Sequence, residues 1–248
     1  MTGLTKKYYL CSRIEENELS ENRMERHTLI DENSEFDAVI LAAGDFPRGT
    51  AAKGILMKTR PLIVCDSAME EIVEYNSRQT EEHQLTPAAV VGDGDSLSPT
   101  LMERYHAIWH HISEQEYNDL TKATRFAIEN YHPKTVAYVG ATGKREDHTL
   151  GNISLMAFYL RELGIRPTLI TDYGWFTPAK DTATFESFPR QQVSIFNVSC
   201  KHLEGIGFRW NPYTYSELWQ GTLNEATGNE FTIKSDGEFI IYQTFEPK

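Results

Sequence analysis

Carboxylates stand at the ends of short apolar runs in this 248-residue chain. One run ends in Asp66, another in Gly92-Asp93-Gly94-Asp95-Ser96, and a third leads into Gly140-Ala141-Thr142-Gly143-Lys144-Arg145-Glu146-Asp147-His148. A further acid, Asp119, opens an amphipathic segment behind the helix cap Asn118, with Lys122 three residues on and on the same side. Taken singly, each acid reads as a cap or a solvated turn. Taken together they are costly, because two carboxylates about 4 Å apart repel by about 1 kcal/mol in water and about 4 kcal/mol at an effective dielectric of about 20. A divalent cation removes that cost, and Mg²⁺, which favours carboxylate and phosphate oxygens, suits the set. Lys122, Arg145 and the backbone N–H groups of the 140–143 turn are then natural phosphate partners, with Asp147 orienting Arg145 or the metal.

Other phosphate and metal sites are excluded by single positions. Leu97 and Ser98 stand where a calcium loop needs an acid or Asn and then Gly, and Leu97 also replaces the third glycine of a dinucleotide fingerprint. No GxxxxGK[ST] occurs, so the chain is not a P-loop protein. His148 is read as a structural helix-start residue rather than a general base, His110 and His111 as strand or surface residues, and Cys65 as a packed thiol beneath Asp66.

The elements that must position these groups follow from the apolar pattern. Runs at 38–43, 62–65, 88–91, 135–139 and 168–170 alternate with amphipathic stretches at 67–78, 120–131 and 148–163. That alternation predicts an α/β fold with a buried parallel sheet and helices on both faces, and ligands bind beyond the carboxyl ends of such strands. After Asp172, runs at 182–188, 193–198, 230–233 and 238–242 predict a smaller antiparallel β-sandwich. The expected divisions are a polar lead-in over 1–36, an α/β domain carrying the Mg²⁺-holding acids over 37–175 and a β-sandwich domain over 176–248.

Composition narrows the partners. A net charge of −12 argues against a nucleic-acid backbone and favours a cationic small molecule. The longest apolar run is far short of the roughly 20 residues of a membrane span, and no secretory signal is visible. Three scattered cysteines form neither a zinc spacing nor a disulfide framework, so a reducing cytoplasm is expected.

In this order the stations resemble the thiamine pyrophosphokinase family, whose pattern has a C-A-D-G-G-like turn, G-D-x-D-S, Q-D-x-T-D-x-x-K and G-A-x-G-G-R-x-D-H. Here stand Val64-Cys65-Asp66-Ser67-Ala68, Gly92 to Ser96, Gln115-Glu116-Tyr117-Asn118-Asp119-Leu120-Thr121-Lys122, and Gly140 to His148 followed by Leu150 and Asn152. A weaker match follows in Gly207-Phe208-Arg209-Trp210-Asn211 and Thr222-Leu223-Asn224-Glu225. The resemblance implies a homodimer with active sites between subunits and conversion of thiamine and ATP to thiamine diphosphate and AMP. It would make 37–175 the ATP-binding catalytic domain and 176–248 the thiamine-binding domain. It implies catalytic roles for Asp66, Asp93, Asp95, Asp119, Arg145 and Asp147, with Asp93, Asp95 and Asp119 on the metal. Ser96, Gln115, Asn118, Lys122, Gly140, Thr142, Gly143, His148 and Asn152 would meet the nucleotide, and Trp210, Thr222 and Asn224 the thiamine.

Departures bear on the acceptor. Ser67 and Ala68 replace the paired glycines, Glu70 stands where Asn is usual, Glu116 replaces Asp, and Asn118 replaces Thr. Both serines of the family's S-x-S-N-E stretch are absent from Gly221-Thr222-Leu223-Asn224-Glu225, which leaves a pterin alcohol as an alternative acceptor. An Asp93-based phosphohydrolase and a non-enzymatic nucleotide- or thiamine-binding module are the rival classes. The identity of the general base, the number of metal ions and the preferred nucleotide base stay open at this level.

Overall fold

The protein is described by a computed structural model over residues 25–248. Four-residue runs of apolar side chains form the first central strands: β2 (Ala38–Leu41) and β3 (Leu62–Cys65) are buried at every position. Such strands need cover on both faces. Between them lies α1 (Thr50–Lys58), and after β3 a single 3₁₀ turn (Asp66–Ala68) enters α2 (Met69–Ser77). There follow β4 (Ala89–Gly92), the short α3 (Pro99–Arg104), β5 (Trp109–His111), α4 (Asp119–Tyr131), β6 (Thr135–Val139), α5 (Glu146–Phe158) and β7 (Arg166–Ile170).

These strands pair in parallel in the order β7-β6-β2-β3-β4-β5. One face packs Ala52, Ile55 and Leu56 of α1 and Met69 and Ile72 of α2. The other packs Leu120, Ala123 and Ala127 of α4 and Met156 of α5. The chain runs outward from β2 to β5, then returns to lay β6 beside β2. That reversal opens a crevice at the carboxyl ends of β2 and β6, where ligands settle in open α/β sheets.

The C-terminal part holds β8 (Gly174–Glu186), β9 (Gln191–Asn197), β10 (Leu203–Ile206), β11 (Asn224–Glu225) and β12 (Glu230–Pro247). The long strands β8 and β12 pair antiparallel and bend together, with Asp181 at φ 58 and a register shift between Lys234 and Glu238. The two halves enclose a core that joins Phe185, Phe231 and Ile233 to Val193, Ile195 and Phe239, which is a sandwich. β7 also hydrogen-bonds to β8, through Leu169↔Phe176 and Ile170↔Trp175, so the sheet runs on from the parallel part into the sandwich.

Residues 25–36, expected as part of a polar lead-in, do more than that. β1 (Glu25–His27) pairs with β8, Arg26 reaches Glu186 and Glu230, and Leu29, Ile30 and Phe36 pack on the α/β core. Residues 1–24 of the lead-in, Cys11 included, lie outside the described residues. Further elements without a counterpart in the expected pattern include α1, α3, β5, β10 and β11.

Candidate active site

Asp66 sits directly after β3 and is fully buried. Its Oδ1 accepts from the Ser67 N–H at 2.6 Å and its Oδ2 from the Gly94 N–H at 2.8 Å, tying the end of β3 to the loop after β4. Residue 92 must be glycine for this contact, because a β-carbon there would lie 2.1 Å from the Asp66 carboxyl carbon. Burial pushes the Asp66 carboxyl above the usual aspartate range; the bond from Gly94 opposes this, and the charges of Asp119 and Asp93 add to it.

In the same loop Asp93 accepts from Lys122 Nζ at 3.1 Å and from Gln115 Nε2 at 3.1 Å through Oδ2, while its Oδ1 takes the Asp95 N–H at 3.2 Å. The bond from Lys122 holds the Asp93 carboxyl below its ordinary value. Lys122 also reaches Asp119 Oδ1 at 3.3 Å, with its own side chain only 2% exposed. Burial alone would lower the Lys122 ammonium, but its bonds to Asp93 and Asp119 raise it instead. Asn118 caps α4 by accepting from the Thr121 N–H at 3.0 Å, which places Asp119 and Lys122 on one side of the first turn.

The 140–145 turn forms the facing wall. The Gly44 and Asp45 N–H groups donate to the Gly140 and Thr142 carbonyls at 2.6 and 2.8 Å, lacing the loop after β2 to the turn after β6. Asn118 donates to Asn152 Oδ1 at 3.2 Å, and Asn152 donates to the Ala141 carbonyl at 2.8 Å, so the starts of α4 and α5 are fixed to the same turn. Arg145 and Asp147 form a solvent-exposed pair at 2.6 Å that raises the guanidinium and lowers the carboxyl. The Asp147 carboxylate also takes the His148 N–H at 3.0 Å.

Between the walls lies a cleft of about 310 Å³, lined by Gly44, Ser67, Ser96, Asn118, Asp119, Gly143, Lys144, Arg145, His148 and Asn152. A second hollow of about 240 Å³ shares Gly143 and is lined by Gly140, Thr142, Asp45, Arg48 and Tyr173. Of the expected acids Asp119 alone lines the cleft beside the glycine turn; Asp93 is joined to it through Lys122, and Asp66, Asp93, Asp95 and Asp147 line neither hollow. Trp210, Thr222 and Asn224 do not line either hollow. They lie on the sandwich, where Asn224 exchanges bonds with the Trp210 backbone at 2.7 and 3.3 Å, beside the exposed Leu218, Trp219 and Leu223.

The expected metal set differs from the observed arrangement in one respect. Among the described residues no three acidic, His or Cys side chains form a ready cage for an ion. Instead the Lys122 ammonium already stands between Asp93 and Asp119. The donors still fit Mg²⁺, which is commonly held by one or two carboxylates with phosphate and water completing its octahedron. Sequence reasoning missed Gly44, Asp45, Glu71 and Lys144. The first two follow the first apolar run, so the rule that ligands sit at strand ends was the available signal.

Asp119, which shares Lys122 with Asp93, on one wall and a glycine turn with Arg145 on the other suit a metal-chelated polyphosphate, which places the molecule among phosphoryl-transfer proteins. The comparisons narrow the class. Residues 53–166 match the family profile described as thiamin pyrophosphokinase, catalytic domain, and residues 174–242 match thiamin pyrophosphokinase, substrate-binding domain. The chain belongs to the thiamin pyrophosphokinase family.

Similar solved structures include yeast thiamin pyrophosphokinase, with 14% identity over 91% of this chain and 93% of that one and a TM-score of 0.71. The Candida albicans enzyme has 16% identity, coverage of 90% and 93%, and a TM-score of 0.70. The Bacillus subtilis enzyme has 19% identity, coverage of 84% and 99%, and a TM-score of 0.65. At these identities the likeness is one of fold. No curated protein sequence matches the chain significantly.

Proposed function

We infer that this chain transfers the diphosphoryl group of ATP to the hydroxyl of thiamine, giving thiamine diphosphate and AMP. The observation that carries this reading is the match of consecutive stretches, 53–166 and 174–242, to the catalytic and substrate-binding parts of one family. In the reaction the thiamine hydroxyl attacks the β-phosphorus in line and AMP leaves. Such chemistry depends on positioning and charge neutralisation rather than on a covalent intermediate.

Asp93 and Asp119, with Asp95 beside them, would hold Mg²⁺. That ion supplies charge neutralisation on the phosphate oxygens. Lys122 and Arg145 neutralise further phosphate charge, and Asp147 aims the guanidinium. Asp66 spends both oxygens on backbone N–H groups, which fits a residue that shapes the loop carrying Asp93 and Asp95. Asp95 is exposed, and among the described residues no side chain engages its carboxylate, so it is the better placed of the two to accept the hydroxyl proton. Gln115, Ser96, Asn152, His148 and the 140–143 turn complete the nucleotide side.

Trp210, Thr222 and Asn224 are read as the thiamine side. Their separation from the cleft within one chain supports a homodimer in which the sandwich of one subunit faces the cleft of the other. Cys65 and Cys200 are buried free thiols, which supports a reducing, cytoplasmic setting. Among the described residues no helix is long and apolar enough to cross a membrane.

Incubation with ATP, Mg²⁺ and thiamine should yield AMP and thiamine diphosphate in equal amounts. Inorganic phosphate without AMP would instead select a phosphohydrolase. Turnover of hydroxymethylpterin but not thiamine would reassign the acceptor.

A further inference from the structure

Lys144 adopts the left-handed backbone conformation, φ 56, directly after Gly143 at φ 80. A β-carbon makes that conformation unfavourable, and glycine is the residue that occupies it without cost. Of the described non-glycine residues with such a φ, which also include His132, Asp181, Arg190 and Leu223, Lys144 alone lines the cleft. A side chain kept at the expense of backbone strain in a binding turn points to a role for that side chain.

The contacts of the ammonium do not account for it. Lys144 Nζ donates to the Ala43 carbonyl at 2.8 Å and pairs with Glu71, in the first turn of α2. The lysine side chain is 49% exposed, and an ion pair so open to solvent contributes little to stability. Its position says more: Ala43 lines the same cleft, the 140–145 turn forms one wall, and Arg145 follows immediately.

We propose that Lys144 is an additional phosphate-binding cation, paired with Glu71 in the free protein and exchanging that carboxylate for a phosphate oxygen of the nucleotide. The assignment rests on the diphosphoryl-transfer reading and deepens it. Glu71 thereby acts as a competitor for Lys144, and the strength of the pair sets how tightly ATP binds. A latch that merely closes the cleft makes the opposite demand, since breaking it from either end has the same effect.

The test is equilibrium binding of Mg²⁺-ATP to the intact wild-type protein, Lys144→Gly, Lys144→Arg, Glu71→Gln and the Lys144→Gly/Glu71→Gln double variant, each checked for folding by its thermal midpoint. Lys144→Gly relieves the backbone strain, so it should melt no earlier than wild type while binding ATP about tenfold more weakly, the loss expected for one charge-assisted contact. Lys144→Arg should retain most of the affinity. Glu71→Gln should bind ATP more tightly, and that gain should vanish in the Lys144→Gly background. Weaker binding in both single variants would leave only a latch and overturn the proposal. A Glu71→Gln gain that persists without Lys144 would also overturn it, because simple removal of a negative charge would then suffice. Wild-type binding with no change in any variant overturns the role of Lys144 alone, whereas a folded wild type that binds no ATP overturns both this role and the transferase reading.

Discussion

Asp93, Asp119 and Lys122 form the unit on which the site's electrostatics turn. Asp93→Asn keeps the shape of the side chain and its bond to Gln115 while removing one of the two acids paired with Lys122. Its activity should fall by about 10²–10³-fold, the scale of losing one electrostatic partner of a transition state, with an unchanged circular dichroism spectrum. Full activity in that variant would remove Asp93 from the metal set. Lys122→Met should cost about 1–3 kcal/mol, because it leaves two acids facing each other without a cation. The figure stays below that for a fully buried pair because the Asp93 and Asp119 side chains are 19% and 32% exposed. Added Mg²⁺ should recover part of the lost thermal midpoint, and by more than it raises the wild type. Equal melting of the two proteins with and without Mg²⁺ would show that the ammonium is not the resident counter-ion.

At the scale of elements, strand ends are held in register by side chains that accept backbone N–H groups. Asp37, just before β2, takes the Lys134 and Thr135 N–H groups at 2.9 Å each and the Thr135 hydroxyl at 3.1 Å, pinning the start of β2 to that of β6. The bond from the Thr135 backbone leads in holding its carboxyl below the ordinary aspartate value. Its stabilising contribution is therefore present above the ordinary value and is lost as pH falls through the lowered folded one. Asp37→Asn should be less stable than wild type at neutral pH, and the difference should shrink in acid. Parallel urea-unfolding series across pH would read this directly, and a difference independent of pH would mean the charge plays no part. Sequence pattern was sufficient where an element carries its own signal: β3 and β6 occupy the residues of the apolar runs 62–65 and 135–139, and α4 begins behind the cap Asn118. It failed for α1, which has no side-chain cap of its own; the Arg48 and Gly49 N–H groups just before it are held by Asp172 from beyond β7, at 2.9 and 2.8 Å. It failed too for β1, a polar Glu25-Arg26-His27 segment that is a strand only because β8 pairs with it.

For the whole molecule, the separation of the sandwich residues Trp210, Thr222 and Asn224 from the cleft beside Asp119 makes a prediction about assembly. If each active site takes its cleft from one subunit and its sandwich wall from another, Asp93→Asn and Trp210→Ala are each inactive alone. Mixed and allowed to exchange subunits, they should recover about a quarter of wild-type activity, since half of randomly formed dimers then hold one intact site of two. Recovery that never exceeds the sum of the separate variants would confine the site to one chain. Trp210 is half-exposed, so its replacement should leave the sandwich folded.

The sequence by itself determined the strand–helix alternation, the later shift to short β-runs, and the order of acids along the chain, because each is carried by residues close together in sequence. Apolar periodicity, helix caps and turn glycines act over a few residues and can be read there. Only the tertiary structure decided that Lys122 stands between Asp93 and Asp119, that Asp66 turns inward to the Gly94 amide, and that Lys144 reaches Glu71 across 73 positions of chain. Those contacts depend on how parallel strands stack and where the sheet reverses direction. Long-range pairing of that kind is set by the packing of whole faces, and no single segment carries a record of it.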